Sequence, residues 1–243
     1  MAFTLPGNYK INQLSIISTY GRKSVDLTAI YQQLNIFESI FTSCITGYVT
    51  VTDTYNLISG LNYSLPIMGN ELIYIEAEVP DYFIQNDQGN WVPGNPNVVF
   101  FYGRVTDIKN INLINEGARN YEIHFSSEEF ILDRSLKLSK SYKDKSISDI
   151  VTSVFNEYFP NTISSYEFEK TQGLQTIVFP NWNPLKAINW LTSRAISAGH
   201  NSSCFFFYQS LYYDGYISDP QNCVGNDSRD SSSKYWFVSL DEL

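Results

Sequence analysis

The chain has 243 residues, 43% of them hydrophobic and 17% charged, enough for one large or two ordinary domains with proper cores. A formal net charge of −9 argues against gripping phosphate backbones, which takes Lys and Arg to displace counterions. Three cysteines without CxxC spacing indicate neither a disulfide framework nor a zinc site, and no apolar run approaches a membrane span.

The N-terminal stretch MAFTLPGNYK lacks the apolar centre of a secretory signal, so the expectation is a soluble chain with reduced thiols. From Tyr9 to Ser126 the dominant hydrophobic period is two. Leu14–Ser18, Gly47–Thr52, Ile73–Glu78, Val98–Ile108 and Tyr121–Phe125 read as strands. Cys44, just ahead of one of them, reads as a small buried hydrophobe. Asp53 is placed to cap a helical turn over Thr54–Ser59, which Gly60 would end. The stretch from Pro80 to Pro96 holds three prolines and shows no strand period. Asn115-Glu116-Gly117 reads as the turn of a long hairpin joining Val98–Leu113 to Arg119–Ser126.

Ser126–Asp133 reads as a short helix, followed by a basic joint carrying Arg134, Lys137, Lys140, Lys143 and Lys145. The period then changes to 3.6. Ser146 opens a helix with Asp149 three residues on, and Ile147, Ile150, Val151, Val154, Phe155 and Tyr158 form one apolar face that Pro160 stops. A second helix starts at Asn183 with Pro184 in its first position and runs to Gly199. Between the helices, Tyr166–Glu169 and Gln175–Phe179 read as a strand pair, and Cys204–Tyr208 and Tyr235–Ser239 are strongly β.

Enzyme chemistry finds no purchase. His124 alternates off the apolar face of its strand, and His200 follows the helix-ending Gly199, where a cation meets helix carbonyls. No GxSxG or HExxH occurs. Gly21-Arg22-Lys23-Ser24 lacks the upstream glycine of a phosphate loop and reads as a turn. Glu128, Glu129, Glu167 and Glu169 offer no pair placed across a cleft. Asp219, Asn222, Asn226, Asp227 and Asp230 lack the alternating oxygens and terminal Glu of a calcium loop. The expectation is no catalytic residue, no cofactor and no metal. The sequons at Asn62, Asn201 and Asn226 carry no weight without a secretory signal.

Three segments carry a resemblance. Phe37–Glu76 (FESIFTSCITGYVTVTDTYNLISGLNYSLPIMGNELIYIE), Ser141–Val151 (SYKDKSISDIV) and Val178–Ala195 (VFPNWNPLKAINWLTSRA) occur in that order. Together they resemble the N-terminal part of the baseplate central hub protein of contractile-tailed bacteriophages, a tail-tube-like hub related to the base of contractile-injection spike proteins. Asn62-Tyr63-Ser64 stands as a local insertion in that pattern.

The resemblance implies a mainly β, α+β protein. A tail-tube-like antiparallel β-barrel would fall at residues 1–133, an α+β insert at 134–199, and the strands of a second tube-like barrel, abbreviated or continuing beyond Leu243, at 200–243. It also implies a structural role in the virion, in a tail baseplate assembled in the host cytoplasm. There a homotrimer would form a hub ring between the six-fold tail tube and the three-fold spike. The implied partners are the chain itself, tail tube protein, spike protein and other baseplate proteins, with genomic DNA passing without specific binding and no membrane insertion. Tube-like rings pair neighbouring barrels, so Phe37, Ile40 and Phe41, with Tyr48 and Thr50 on the next strand, are the candidate interface residues. Two rivals need weighing. A carbohydrate-binding module would use Trp91, Trp182, Trp190 or Trp236 as stacking platforms, although Trp182 and Trp190 flank a capped helix and read as core. A tail-associated lysozyme would need a catalytic carboxylate motif that the sequence does not show.

Overall fold

The computed structural model describes residues 9–19, 23–54, 67, 69–79, 83–85, 91–93, 97–115, 117–160, 164–200, 202–211 and 233–242. The turn after Thr54 up to Gly60, the insertion at Asn62–Ser64, the Gly21-Arg22 turn residues, the acidic loop after Ser218 and the three sequon asparagines lie outside them. Internal contacts divide the chain into two units. One takes residues 1–34, 48–125 and 211–232; the other takes 35–47, 126–210 and 233–243.

In the first unit, alternation of apolar and polar side chains builds the strands. These are β1 (Lys10–Ile17), β2 (Ser24–Asp26), β3 (Tyr31–Phe37), β4 (Thr46–Asp53), β5 (Leu72–Val79), β6 (Phe83–Gln85), β7 (Trp91–Pro93), β8 (Asn97–Asn115) and β9 (Ala118–Ser127). Seven of them form one curled antiparallel sheet, a half-barrel, in the order β2-β1-β5-β8-β9-β4-β3. The long hairpin expected around Asn115 and Gly117 is β8–β9. Leu14, Ile16, Val49, Val51, Ile73, Ile75, Phe101, Tyr121, Ile123 and Phe125 line the covered face. Each such side chain, once buried, contributes about 1.5–3 kcal/mol. Phe101 and Phe125 meet at 5.5 Å between ring centroids.

Asp53 ends β4, where it is buried and accepts a hydrogen bond from the Tyr121 hydroxyl at 3.3 Å; the turn it was expected to cap lies outside the described residues. Burial, with the neighbouring Asp53 carboxylate, holds the Tyr121 phenol far above its ordinary value. Within the proline-rich stretch, β6 and β7 pair antiparallel, in a ladder too short to show a period.

The second unit contains α1 (Glu128–Ser135), β10 (Leu138–Lys145), α2 (Ile147–Tyr158), β11 (Ser165–Phe168), β12 (Gln175–Trp182), α3 (Pro184–Thr192), β13 (Phe205–Leu211) and β14 (Ser233–Ser239). Helix α2 begins as its sequence dictates, with the Ser146 hydroxyl accepting from the Asp149 amide at 3.1 Å. The basic joint is not a linker: β10 pairs antiparallel with β12 and turns its lysines outward. Register shifts between Leu138 and Lys140 and between Tyr142 and Lys145 accompany left-handed residues at Asn181 and Asp144. The expected pairing of Tyr166–Glu169 with Gln175–Phe179 does not form. Strand β11 runs parallel to β14, which also borders β13, so the strands after Cys204 share a sheet with one from the expected insert.

Helix α3 ends at Thr192, well short of Gly199. Its N-terminus is capped from a distance. Asn183 donates its amide to the Asp133 carbonyl at 2.6 Å, while the Leu185 amide donates to the Asp133 carboxylate at 2.8 Å. The core of this unit gathers Leu138, Ile150, Val154, Phe155, Phe179, Ile188, Leu191, Phe207, Tyr235 and Phe237, with Cys44 as the small buried hydrophobe expected.

Candidate interaction surface

The five residues named from the sequence fall in both units: Phe37, Ile40 and Phe41 in the second, Tyr48 and Thr50 in the first. Phe37 closes β3 with 52% of its surface exposed, and Phe41 is 80% exposed. Ile40 is half-buried. A turn built on Ser39 sets this display. Its hydroxyl accepts from the Phe41 amide at 3.2 Å, and its carbonyl accepts from the Thr42 amide at 3.1 Å. The Phe41 ring stands largely in solvent and meets the Phe206 ring in a T-shaped contact at 5.8 Å. Tyr48 and Thr50 alternate with buried Val49 and Val51 on β4 and are half-buried. The Tyr48 ring lies 5.4 Å from His124, whose Nε2 is 3.2 Å from Glu122.

Sequence reasoning missed what Phe41 leans on. On the outer face of β13 and β14, Tyr208 stacks on Trp236 at 6.5 Å, and the Trp236 indole donates to Ser210 at 2.8 Å. Lys234 lies over the same indole at 4.2 Å and pairs with Glu167. The signal was present in the alternation of Phe206, Tyr208 and Ser210, but alternation does not say which face meets solvent. Of the sugar-platform tryptophans, Trp182, Trp190 and Trp236 are engaged in the fold. Trp182 and Trp190 pack edge-to-face at 5.6 Å, with Lys186 and Arg194 over their rings, and the Trp91 side chain lies outside the described residues.

Behind this surface, the second unit holds a buried polar node. Gln209 accepts from the Ile45 amide at 3.0 Å and from the Ser127 hydroxyl. It donates to Ser164 at 3.1 Å and to Ser233 at 2.9 Å. Ser164 donates in turn to the Glu129 carboxyl at 3.0 Å. The Cys44 thiol and the Tyr235 hydroxyl are 3.4 Å apart, and Tyr235 also reaches Glu129. Burial first, opposed by hydrogen bonds from the Glu129 backbone and Ser164, pushes Glu129 up to about 7. His200 is 2.9 Å from Glu242 and lies in a turn in the chain beyond Thr192, where α3 ends. Among the described residues no three His, Cys, Asp or Glu side chains gather as a metal would require, and no helix is long and apolar enough to cross a membrane.

No family model matches the chain, and no curated protein matches it. Its fold is similar to that of the solved 43 kDa tail protein of prophage MuSo2 from Shewanella oneidensis. That match has a TM-score of 0.50 and 9% identity, over 93% of this chain and 54% of that one. A VgrG complex from Francisella matches with a TM-score of 0.49 and 14% identity, over 97% of this chain and 30% of that chain. A tail protein from Neisseria meningitidis MC58 matches with a TM-score of 0.47 and 10% identity, over 93% and 50%. The chain thus spans about half the length of the MuSo2 tail protein. At such identity the likeness is one of fold: a mostly β, tail-protein-like architecture with a curled antiparallel sheet.

Proposed function

We propose that the chain is a structural part of a contractile phage tail baseplate, located in the virion and assembled in the host cytoplasm. Its role is that of a hub ring joining the six-fold tail tube to the three-fold spike. The observation that carries this reading is the tail-protein fold over 93% of the chain. The three hub-like segments in order along the sequence agree with it. A three-fold spike cannot meet six equivalent tube subunits unless each hub chain offers two similar surfaces. Three copies of a chain with two β-rich blocks supply six. Genomic DNA passes through such a ring without being gripped, in keeping with the −9 charge. The role needs no catalysis, metal or cofactor; peptidoglycan hydrolysis by the purified chain, or tryptophan quenching on sugar titration, would turn the assignment to a rival.

Copy number in the assembled baseplate decides the matter. Three copies on the tail axis are expected from imaging of intact particles. Six copies, or one off the axis, would overturn the reading.

The contact residues on this reading are Phe37, Ile40 and Phe41, with Tyr48 and Thr50 on β4. Phe37→Asp and Phe41→Asp are expected to leave the monomer folded, because both rings are mostly in solvent. Losing the Phe41–Phe206 edge contact costs only about 0.5–1.5 kcal/mol. Assembly into baseplates should nevertheless fail. A monomer that unfolds, or particles that assemble normally, would remove these residues from the interface.

A further inference from the structure

Trp182, Lys186, Trp190 and Arg194 follow one another at four-residue intervals. Lys186 and Trp190 stand one turn apart on α3, with Trp182 ahead of its first turn and Arg194 just past its last. The two indoles are half-buried and meet edge-to-face at 5.6 Å. Each also meets the Phe179 ring, at 6.0 Å in both cases. The Lys186 ammonium lies 5.2 Å from the centre of the Trp182 ring, and the Arg194 guanidinium 3.6 Å from that of Trp190. Both basic residues are exposed.

The indoles are thus engaged by cations and by Phe179, and what this stripe offers to solvent is two held positive charges. A ring beneath each cation narrows its choice of rotamers, so a bound group costs less ordering than a free lysine or arginine demands. Arg194 adds a planar fork of donors, suited to a carboxylate, with one nitrogen donating to Ser193 at 3.1 Å. The same unit contains the completed form of this arrangement. Lys234 lies over the Trp236 ring at 4.2 Å and pairs with the Glu167 carboxylate.

We propose that the Lys186–Arg194 side of α3 docks an acidic segment of another protein, in extended conformation, with carboxylates four residues apart. Eight residues of helical rise separate the two cations, about 12 Å. Four residues of extended chain span about 13 Å and put both acids on one face. In this chain only Glu129 and Asp133 have that spacing, and both stand in helix α1, so the occupant is a different chain. The overall charge of −9 repels acidic chains elsewhere, which leaves their binding to this stripe. The proposal stands on this surface alone and does not depend on the baseplate reading.

The test follows the tryptophan indole N–H signals of the full chain by NMR while a peptide of repeated Glu-Ser-Ser-Ser units is added in low salt. The Trp182 and Trp190 signals are expected to shift together and saturate with a midpoint of about 1 mM. The Trp236 signal should stay in place, because its cation is already engaged. The same peptide with Gln for every Glu should move nothing, and Lys186→Gln with Arg194→Gln should weaken binding by at least about tenfold. Trp182 and Trp190 signals that stay in place up to about ten times the expected midpoint overturn the proposal. So do equal shifts with the Gln peptide, or a double variant that binds as well as the parent. Should the double variant fail to fold, the parent's response to the two peptides decides. An oligothymidylate that moves the same signals at lower concentration than the peptide assigns the stripe to nucleic acid and also overturns the proposal.

Discussion

Phe155→Ala is expected to lower the unfolding free energy of the second unit by about 3–5 kcal/mol. Phe155 lies on the apolar face of α2 with 1% of its surface exposed. Its ring centroid is 5.4 Å from Phe159, 5.3 Å from Tyr166, 5.5 Å from Phe168 and 5.0 Å from Tyr235. Truncation removes the shared member of four ring pairs, each worth about 0.5–1.5 kcal/mol beyond its buried area. The cavity cannot readily collapse, because its walls come from a helix and from β11 and β14, which are fixed by their own backbone ladder. The urea midpoint should fall with no change in slope. A loss below about 1 kcal/mol would mean that the aromatic cluster is not the centre of this unit's stability.

Gln209→Leu is the second large effect, and its cause is polar. Leucine fills much of the same space but removes the acceptor for the Ile45 amide and the Ser127 hydroxyl. It also removes the donor to Ser164 and Ser233, although these two hydroxyls keep each other at 2.7 Å. The Ser127 hydroxyl keeps the Ile45 carbonyl at 3.2 Å, so the Ile45 amide is the buried group left unpaired, and a loss of about 1–3 kcal/mol is expected. Hydrogen exchange at the Ile45 amide should accelerate further than the global loss of stability accounts for, since that amide loses its own acceptor. A variant as stable as the parent, with Ile45 still protected, would show that the node is not a fastening.

Several elements were legible because their causes are local. The Ser146–Asp149 cap satisfies an amide three residues away, and α2 shows its buried face in a 3.6-residue period. The β8–β9 hairpin carries its turn between its strands. The alternation in β4 names Val49 and Val51 as core because one face of a half-barrel is covered. The prominence of Phe37 and Phe41 was also legible, as apolar surface in excess of what local strands can hide.

What the sequence alone determined is thus the class of the fold, the faces of its periodic elements, and the family-like segments that direct attention to a tail. The tertiary structure decided the partners. That β11 runs parallel with β14, that β10 is a strand, that Asp133 caps α3 in place of Asn183, and that Gln209 gathers Ile45, Ser127, Ser164 and Ser233 all depend on residues brought together across long loops. Period reports whether a face is buried, and a cap reports its own turn. Which strand completes a ladder, and which side chain satisfies a distant amide, is fixed only when the chain closes and every buried polar group must find a partner.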